Sequence, residues 1–337
     1  MDTTTIKEAP TQGAVPVKTM QAVRITAPGV FEIAEVAMPQ PKKGEVRIHL
    51  EGSGVCASNL PVWEGREWFS YPLASGSPGH EGWGVVDAIG PDVAGLRIGD
   101  RVAAISYNAY AEYDIAKAED LVVLPSFLDN KPFPGEALGC VMNIFNRSDI
   151  QKGHTVAIVG CGFIGLLMVQ LAKAAGANVI ALSPRQSSLG AAARAGADKT
   201  IAMDDHFKII ETVKSLTNGL FCERVIEATG KEWPLNLSIE LTAEKGKLIV
   251  AGYHQDGMRQ VNMQLLNWRG IDMVNAHERD PKQYIRGMRA AILAIEKGDM
   301  NPFPLLTHSF SMAMADQALD FLKHRPEGFI KALLLNT

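Results

Sequence analysis

Cysteine is scarce in this chain. Four residues in 337 (Cys56, Cys140, Cys161 and Cys222) are too few and too scattered for a disulfide framework. A special cysteine is then expected as a metal ligand rather than half of a bridge, and a reducing cytoplasm is the expected compartment. No apolar run approaches the ~20 residues that a membrane span needs. Basic charge is also in short supply: 33 Lys and Arg against 37 Asp and Glu leave −4, with no field to hold nucleic acid or an anionic membrane. Residues 1–20 lack the apolar core of a signal sequence and read as a flexible leader. Internal repeats and low-complexity segments are absent.

The length exceeds one ordinary core and implies two domains. The first ~135 residues read as short strands between turns: Val46–Leu50, Gly84–Ile89, Arg101–Ile105 and Leu121–Leu124. After Pro132-Phe133-Pro134 a helix is expected over Gly135–Ile150, and then strand and helix alternate. Apolar strands are expected at Thr155–Val159, Val179–Leu182, Lys199–Ala202, Arg224–Glu227, Lys247–Ala251 and Ile271–Asn275, with helices such as Gly165–Ala175, Leu189–Ala195 and Lys282–Lys297. That alternation predicts an α/β, doubly wound parallel sheet covered on both faces. A helix around Met312–His324 and a strand over Phe329–Leu335 are expected in the tail.

Gly160-Cys161-Gly162-Phe163-Ile164-Gly165 is a GxGxxG sequence placed between a strand and a helix, the context that dinucleotide binding requires. Gly160 would make the turn, Gly162 would let the pyrophosphate approach, and Gly165 would let helix and strand pack closely. The next strand ends at Ser183, where a carboxylate would bond the ribose 2′-hydroxyl of NAD; Arg185 follows. Ser183 and Arg185 predict NADP over NAD. Ala228-Thr229 and Gly252 end two further strands and are expected to touch the cofactor.

Gly54-Val55-Cys56-Ala57-Ser58-Asn59 and Gly79-His80-Glu81-Gly82 carry good zinc donors, and a catalytic zinc keeps three protein ligands and one open place. Together with "GDRV", "GCGFIG", "VIEATG" and "RPEGFIKALL", these segments resemble the zinc alcohol and polyol (sorbitol/threonine-like) dehydrogenases of the medium-chain dehydrogenase/reductase superfamily, from about Gln21 to Leu335.

The resemblance implies a Rossmann domain at 137–298 and an irregular β-rich, GroES-like catalytic domain at 21–136 and 299–337. It implies one catalytic zinc on Cys56 and His80, with Glu81 able to enter its coordination. Glu136, in an "EPL"-like position, is the favoured third ligand, direct or through water; Cys140 is the alternative. The four-cysteine structural-zinc lobe is missing after "GDRV". Ser58 is expected to take the substrate's hydroxyl proton, while Asn59 and Pro61 stand where some relatives carry Asp and a relay His. Trp63, Trp68, Phe69 and Tyr71 are expected to shape a substrate pocket. Hydride transfer between a secondary alcohol or polyol and NAD(P) is the function implied, in a homodimer or homotetramer. The alternatives are a zinc-free NADPH quinone or enoyl reductase of the same superfamily and a non-catalytic nucleotide-binding or scaffolding protein.

Overall fold

The strands sort into one all-parallel sheet, one mixed sheet and a separate hairpin. The computed structural model describes residues 18–255 and 257–336. The chain opens with a hairpin, β1 (Thr19–Ala27) and β2 (Val30–Ala37), joined to the rest at Ala22–Ala111. Next come β3 (Glu45–Gly54), the single turn α1 (Leu60–Trp63), β4 (Gly82–Ile89), β5 (Arg101–Ala104), β6 (Tyr113–Lys117) and β7 (Leu121–Val123). Helix α2 (Gly135–Ser148) leads to the alternating region. Its elements are β8 (Thr155–Val159), α3 (Phe163–Ala174), β9 (Asn178–Ser183), α4 (Gln186–Arg194), β10 (Lys199–Ala202), α5 (His206–Leu216), β11 (Cys222–Glu227), α6 (Glu232–Leu241), β12 (Thr242–Val250), α7 (Met263–Arg269) and β13 (Asp272–Asn275). Helix α8 (Pro281–Lys297), β14 (His308–Ser311), α9 (Ala315–His324) and β15 (Ala332–Leu335) complete the chain.

The six strands of the alternating region pair in parallel in the order β10-β9-β8-β11-β12-β13. Residues Val156–Val159 of β8 are buried without a break, as a parallel strand covered on both faces must be. Strand order reverses beside β8, so the loop after it opens at the switch point where ligands of such sheets sit. The second sheet runs β14-β15-β3-β4-β5-β7, with β6 also on β3. Its last strand in sequence, β15, is therefore interior, parallel to β14 and antiparallel to β3. No helix among the described residues is long and apolar enough to cross a membrane.

Several boundaries differ from expectation. The hairpin β1–β2 and strand β6 were not anticipated; β2 is largely exposed and gives no apolar face to read. Strand β1 begins at Thr19, and residues 1–17 of the expected leader lie outside the described residues. Helix α3 starts at Phe163 rather than Gly165, and α4 at Gln186 rather than Leu189. The expected strand from Phe329 starts only at Ala332, because Pro326–Phe329 folds into a turn closed by Phe329 N–H donating to Pro326 O at 3.0 Å.

Candidate active site

Strand β3 ends at Gly54, and the chain turns immediately through Cys56 to Asn59. Glu81 precedes β4, the neighbour of β3, so sheet pairing brings the two metal-type segments together. Donor atoms of Cys56, His80 and Glu81 all lie within 4.8 Å of one another. His80 Nδ1 donates to Pro78 O at 2.8 Å, which leaves Nε2 for the cluster. Among the described residues, Asn59 places its hydrogen bonds elsewhere than on His80. Its Nδ2 donates to Pro78 O at 3.1 Å, and its Oδ1 accepts from Cys56 N–H at 3.2 Å and from Tyr110 Oη at 2.7 Å. It therefore braces both donor loops from behind. Ser58 donates to Cys56 Sγ at 3.2 Å and lies 3.5 Å from His80 Nε2, half-buried on the rim of the cluster.

Glu81 is fully buried, and Lys331 of the C-terminal segment meets it: Nζ donates to Oε1 at 2.6 Å. The other carboxylate oxygen, Oε2, has no hydrogen-bond partner and lies where a Cβ on Gly54 would fall 1.8 Å away. Lys331 also stands over the ring of Phe163, 5.2 Å from its centroid, and so joins the metal-type cluster to the glycine loop. Burial pulls the Lys331 ammonium down, but Glu81 and Cys56 outweigh it and hold the pKa above its ordinary value. Burial likewise opposes a charged His80, yet Cys56, Glu136 and Glu81 push its imidazole up to about 10. Negative charge is thus concentrated where a cation would sit.

Glu136 lies in the first turn of α2, and its charge acts directly on His80 and Glu81; burial raises its pKa. Cys140, one turn on, donates to Glu136 Oε1 at 3.4 Å, while burial and Glu136 push its thiol well up.

On the glycine loop, Gly160 has φ 103, and a Cβ on Gly165 would fall 1.9 Å from Gly160 O. A Cβ on Gly162, by contrast, would meet nothing within 4 Å, so its bareness is not required by any protein neighbour. Ile164 packs at the edge of the core between the two sheets. Ala228 N–H donates to Val159 O at 2.9 Å, which holds the β11 turn beside β8. Buried Glu227, which sequence reading missed, ties two strand ends together. Its carboxylate accepts from Thr229 N–H at 2.6 Å, Gly230 N–H at 3.0 Å and His254 Nε2 at 2.9 Å, and its carbonyl accepts from Gly252 N–H at 2.8 Å. The available signal was an acid closing the apolar run Val225-Ile226-Glu227. Ser183 is buried, its Oγ accepting Arg185 N–H at 3.3 Å, and Arg185 Nη1 donates to Phe329 O at 3.0 Å.

The aromatic expectations divide. Trp63 is buried in an apolar cluster with Val23, Phe310 and Leu319, and is core rather than pocket. Tyr71 packs against the same cluster and bonds Val62 O, whereas Trp68 is exposed.

Two family models match the chain: "Alcohol dehydrogenase GroES-like domain" over residues 42–126 and "Zinc-binding dehydrogenase" over 164–292. The alcohol dehydrogenase of Geobacillus stearothermophilus is 30% identical over 235 residues, 60% of this chain and 68% of that protein. The chain belongs to the zinc-type medium-chain dehydrogenases. It is an NAD(P)-dependent oxidoreductase acting on CH–OH groups. The sorbitol dehydrogenase of Halalkalibacterium halodurans is 28% identical over 328 residues, 88% of this chain and 93% of that one. An alcohol dehydrogenase from E. coli CFT073, solved with NADH, shares the fold with a TM-score of 0.84 at 22% identity, covering 94% and 99% of the two chains.

Proposed function

We propose that this dehydrogenase oxidises a secondary alcohol or polyol, or reduces the matching ketone, at one zinc ion with NADP(H) preferred. The observation that carries the zinc assignment is Glu81 Oε2, a buried carboxylate oxygen with no partner beside Cys56 and His80. Such an oxygen is costly unless something cationic meets it, and a thiolate, an imidazole and carboxylates form a donor set suited to zinc. Cys56, His80 and Glu136 would hold the ion, with Glu81 able to join them. Glu136 is favoured over Cys140 because its charge acts on both His80 and Glu81 of the cluster. The polyol class is supported by likeness to the sorbitol dehydrogenase.

The chemistry supplied when both groups are bound is Lewis-acid polarisation of the substrate oxygen and hydride exchange at nicotinamide. Ser58, half-buried beside Cys56 and His80, accepts the hydroxyl proton in oxidation as its own proton passes on toward solvent, and the relay runs backwards in reduction. Lys331 fixes the orientation of Glu81. Glu227 holds the turns at Thr229 and Gly252 that border the cofactor crevice. NADP preference is supported by Ser183, which leaves no carboxylate at the end of β9, and by Arg185 beside it. Residues 21–136 and 299–337 are assigned to the catalytic domain, since β14 and β15 join the sheet of β3, and 137–298 to the dinucleotide domain. A homo-oligomer in the cytoplasm completes this reading; the open edge of β13 and the 85% exposed Trp268 support self-association.

Elemental analysis of purified protein tests the reading. About one zinc per chain, lost in Glu136→Ala and retained in Cys140→Ala, is expected of a single catalytic site. No zinc, with no activity gained on adding it, moves the assignment to a zinc-free reductase of the same superfamily.

A further inference from the structure

Between β5 and β6 the chain makes a short loop that is tied down from several directions. Asn108 N–H donates to Asp114 Oδ2 at 3.0 Å, and Ala109 N–H to Gly79 O at 3.0 Å. Tyr110 N–H donates to Gly76 O at 3.0 Å, and Tyr110 O accepts Val23 N–H of β1 at 2.8 Å. The Tyr110 side chain is buried in the apolar cluster of Val23, Val55 and Trp63. It lies against Gly79, where a Cβ would fall 2.7 Å from Tyr110 Cδ1. A phenol buried to this degree needs a partner for its hydroxyl. It has one in Asn59 Oδ1 at 2.7 Å; Gly54 O is further off, at 3.5 Å.

The direction of each proton in this group follows from what each atom can do. Cys56 N–H can only donate, so Asn59 must turn its amide oxygen toward it, at 3.2 Å. The phenol meets that same oxygen and is therefore the second donor, which fills both lone pairs of Oδ1. The amide nitrogen is left to face Pro78 O at 3.1 Å, and the same carbonyl takes His80 Nδ1–H at 2.8 Å. An unbroken, uncharged chain thus runs from the phenol to both donor loops. With two donors on Oδ1 and two on Pro78 O, no member can turn without leaving a polar group unpaired, and that costs more than a hydrogen bond is worth.

We propose that Tyr110 is a positioning residue of the metal centre: acting through Asn59, its hydroxyl fixes the separation of Cys56 and His80 and the presentation of His80 Nε2. The inference rests on the zinc reading and adds to it a residue from outside the donor set. It also gives the hairpin β1–β2 a part in the site, since Val23 and the Ala22–Ala111 bridge hold the loop that carries Tyr110.

The test is the zinc affinity of the full chain, read by competition with a chromophoric chelator, together with the visible spectrum of the cobalt-substituted protein. Both are measured on wild type, Tyr110→Phe, Asn59→Ala and the double variant. Tyr110→Phe keeps the ring and removes only the hydroxyl. It should weaken zinc binding about tenfold, the lower end of what partners of metal ligands contribute, and Asn59→Ala about a hundredfold, the upper end. The cobalt bands should move in both. In the double variant the loss should equal that of Asn59→Ala alone, because the hydroxyl then has nothing to act through. Losses that multiply overturn the route through Asn59. A Tyr110→Phe protein that unfolds at lower urea but keeps wild-type zinc affinity and cobalt bands makes Tyr110 a core residue only and overturns the proposal, whether or not Asn59→Ala folds. A wild type that binds neither metal overturns the zinc reading and this inference with it.

Discussion

The metal end and the dinucleotide end of the crevice are built by opposite means. At the metal end, charged side chains from four distant stretches, around residues 56, 81, 136 and 331, meet in a largely dry place and neutralise one another in part. At the dinucleotide end, three glycines within six consecutive residues bare the backbone, and their chemistry lies in what is missing: side chains at 160, 162 and 165. The first construction concentrates charge and gains affinity for a cation. The second leaves room and gains affinity for a phosphate chain.

The largest blow to this contrast is Cys56→Ala. Zinc content should fall to near zero and kcat/KM by more than about a thousandfold, the scale of lost Lewis-acid stabilisation; elemental analysis and steady-state rates check it. Next comes Lys331→Met, which strands a buried carboxylate. Urea unfolding of the metal-free protein should show a loss of about 3–5 kcal/mol, with Glu81→Gln/Lys331→Met recovering most of it. A single variant as stable as wild type would show that the pair is not the anchor described. Smaller, and sharper as a discriminator, are two glycine variants. Gly165→Ala must push on Gly160 O and should cost about 1–3 kcal/mol of stability. Gly162→Ala meets open space, so stability should stay within about 0.5 kcal/mol while the dissociation constant for NADPH, read by fluorescence titration, rises. The smallest effect lies at the opposite end of the parallel sheet. Asp149 is held at about 2 by Gln151, Lys247 and Arg224. With its folded pKa below the ordinary 3.8, it stabilises the fold above that pH, and the contribution is lost as pH falls through about 2. Comparison of acid unfolding in wild type and Asp149→Asn checks the sign.

The same contrast governs what the sequence could reveal. Strand β8, the glycine loop and the parallel alternation were readable because each is a local string with a fixed period or spacing. Cys56 and His80 were readable as family motifs. Lys331 and Glu227 lie within the family-like segments "RPEGFIKALL" and "VIEATG", but nothing in those strings marks either side chain as buried; only tertiary pairing makes them internal. The hairpin β1–β2 escaped for the reverse reason, since its outward strand buries little. Trp63 was misassigned because an aromatic between two motifs looks the same in sequence whether it lines a pocket or fills a core.

Strand β15 has a consequence for the birth of the protein. It is inserted between β14 and β3, and Lys331 immediately before it supplies the partner of Glu81. While residues 331–335 are still inside the ribosomal exit tunnel, the emerging polypeptide holds Cys56, His80 and Glu81 but neither the strand that pairs with β3 nor the ammonium that steadies the carboxylate. Assembly of this cluster therefore waits until residues 331–335 have left the tunnel, and a stop codon at position 331 would remove both the strand and the ammonium.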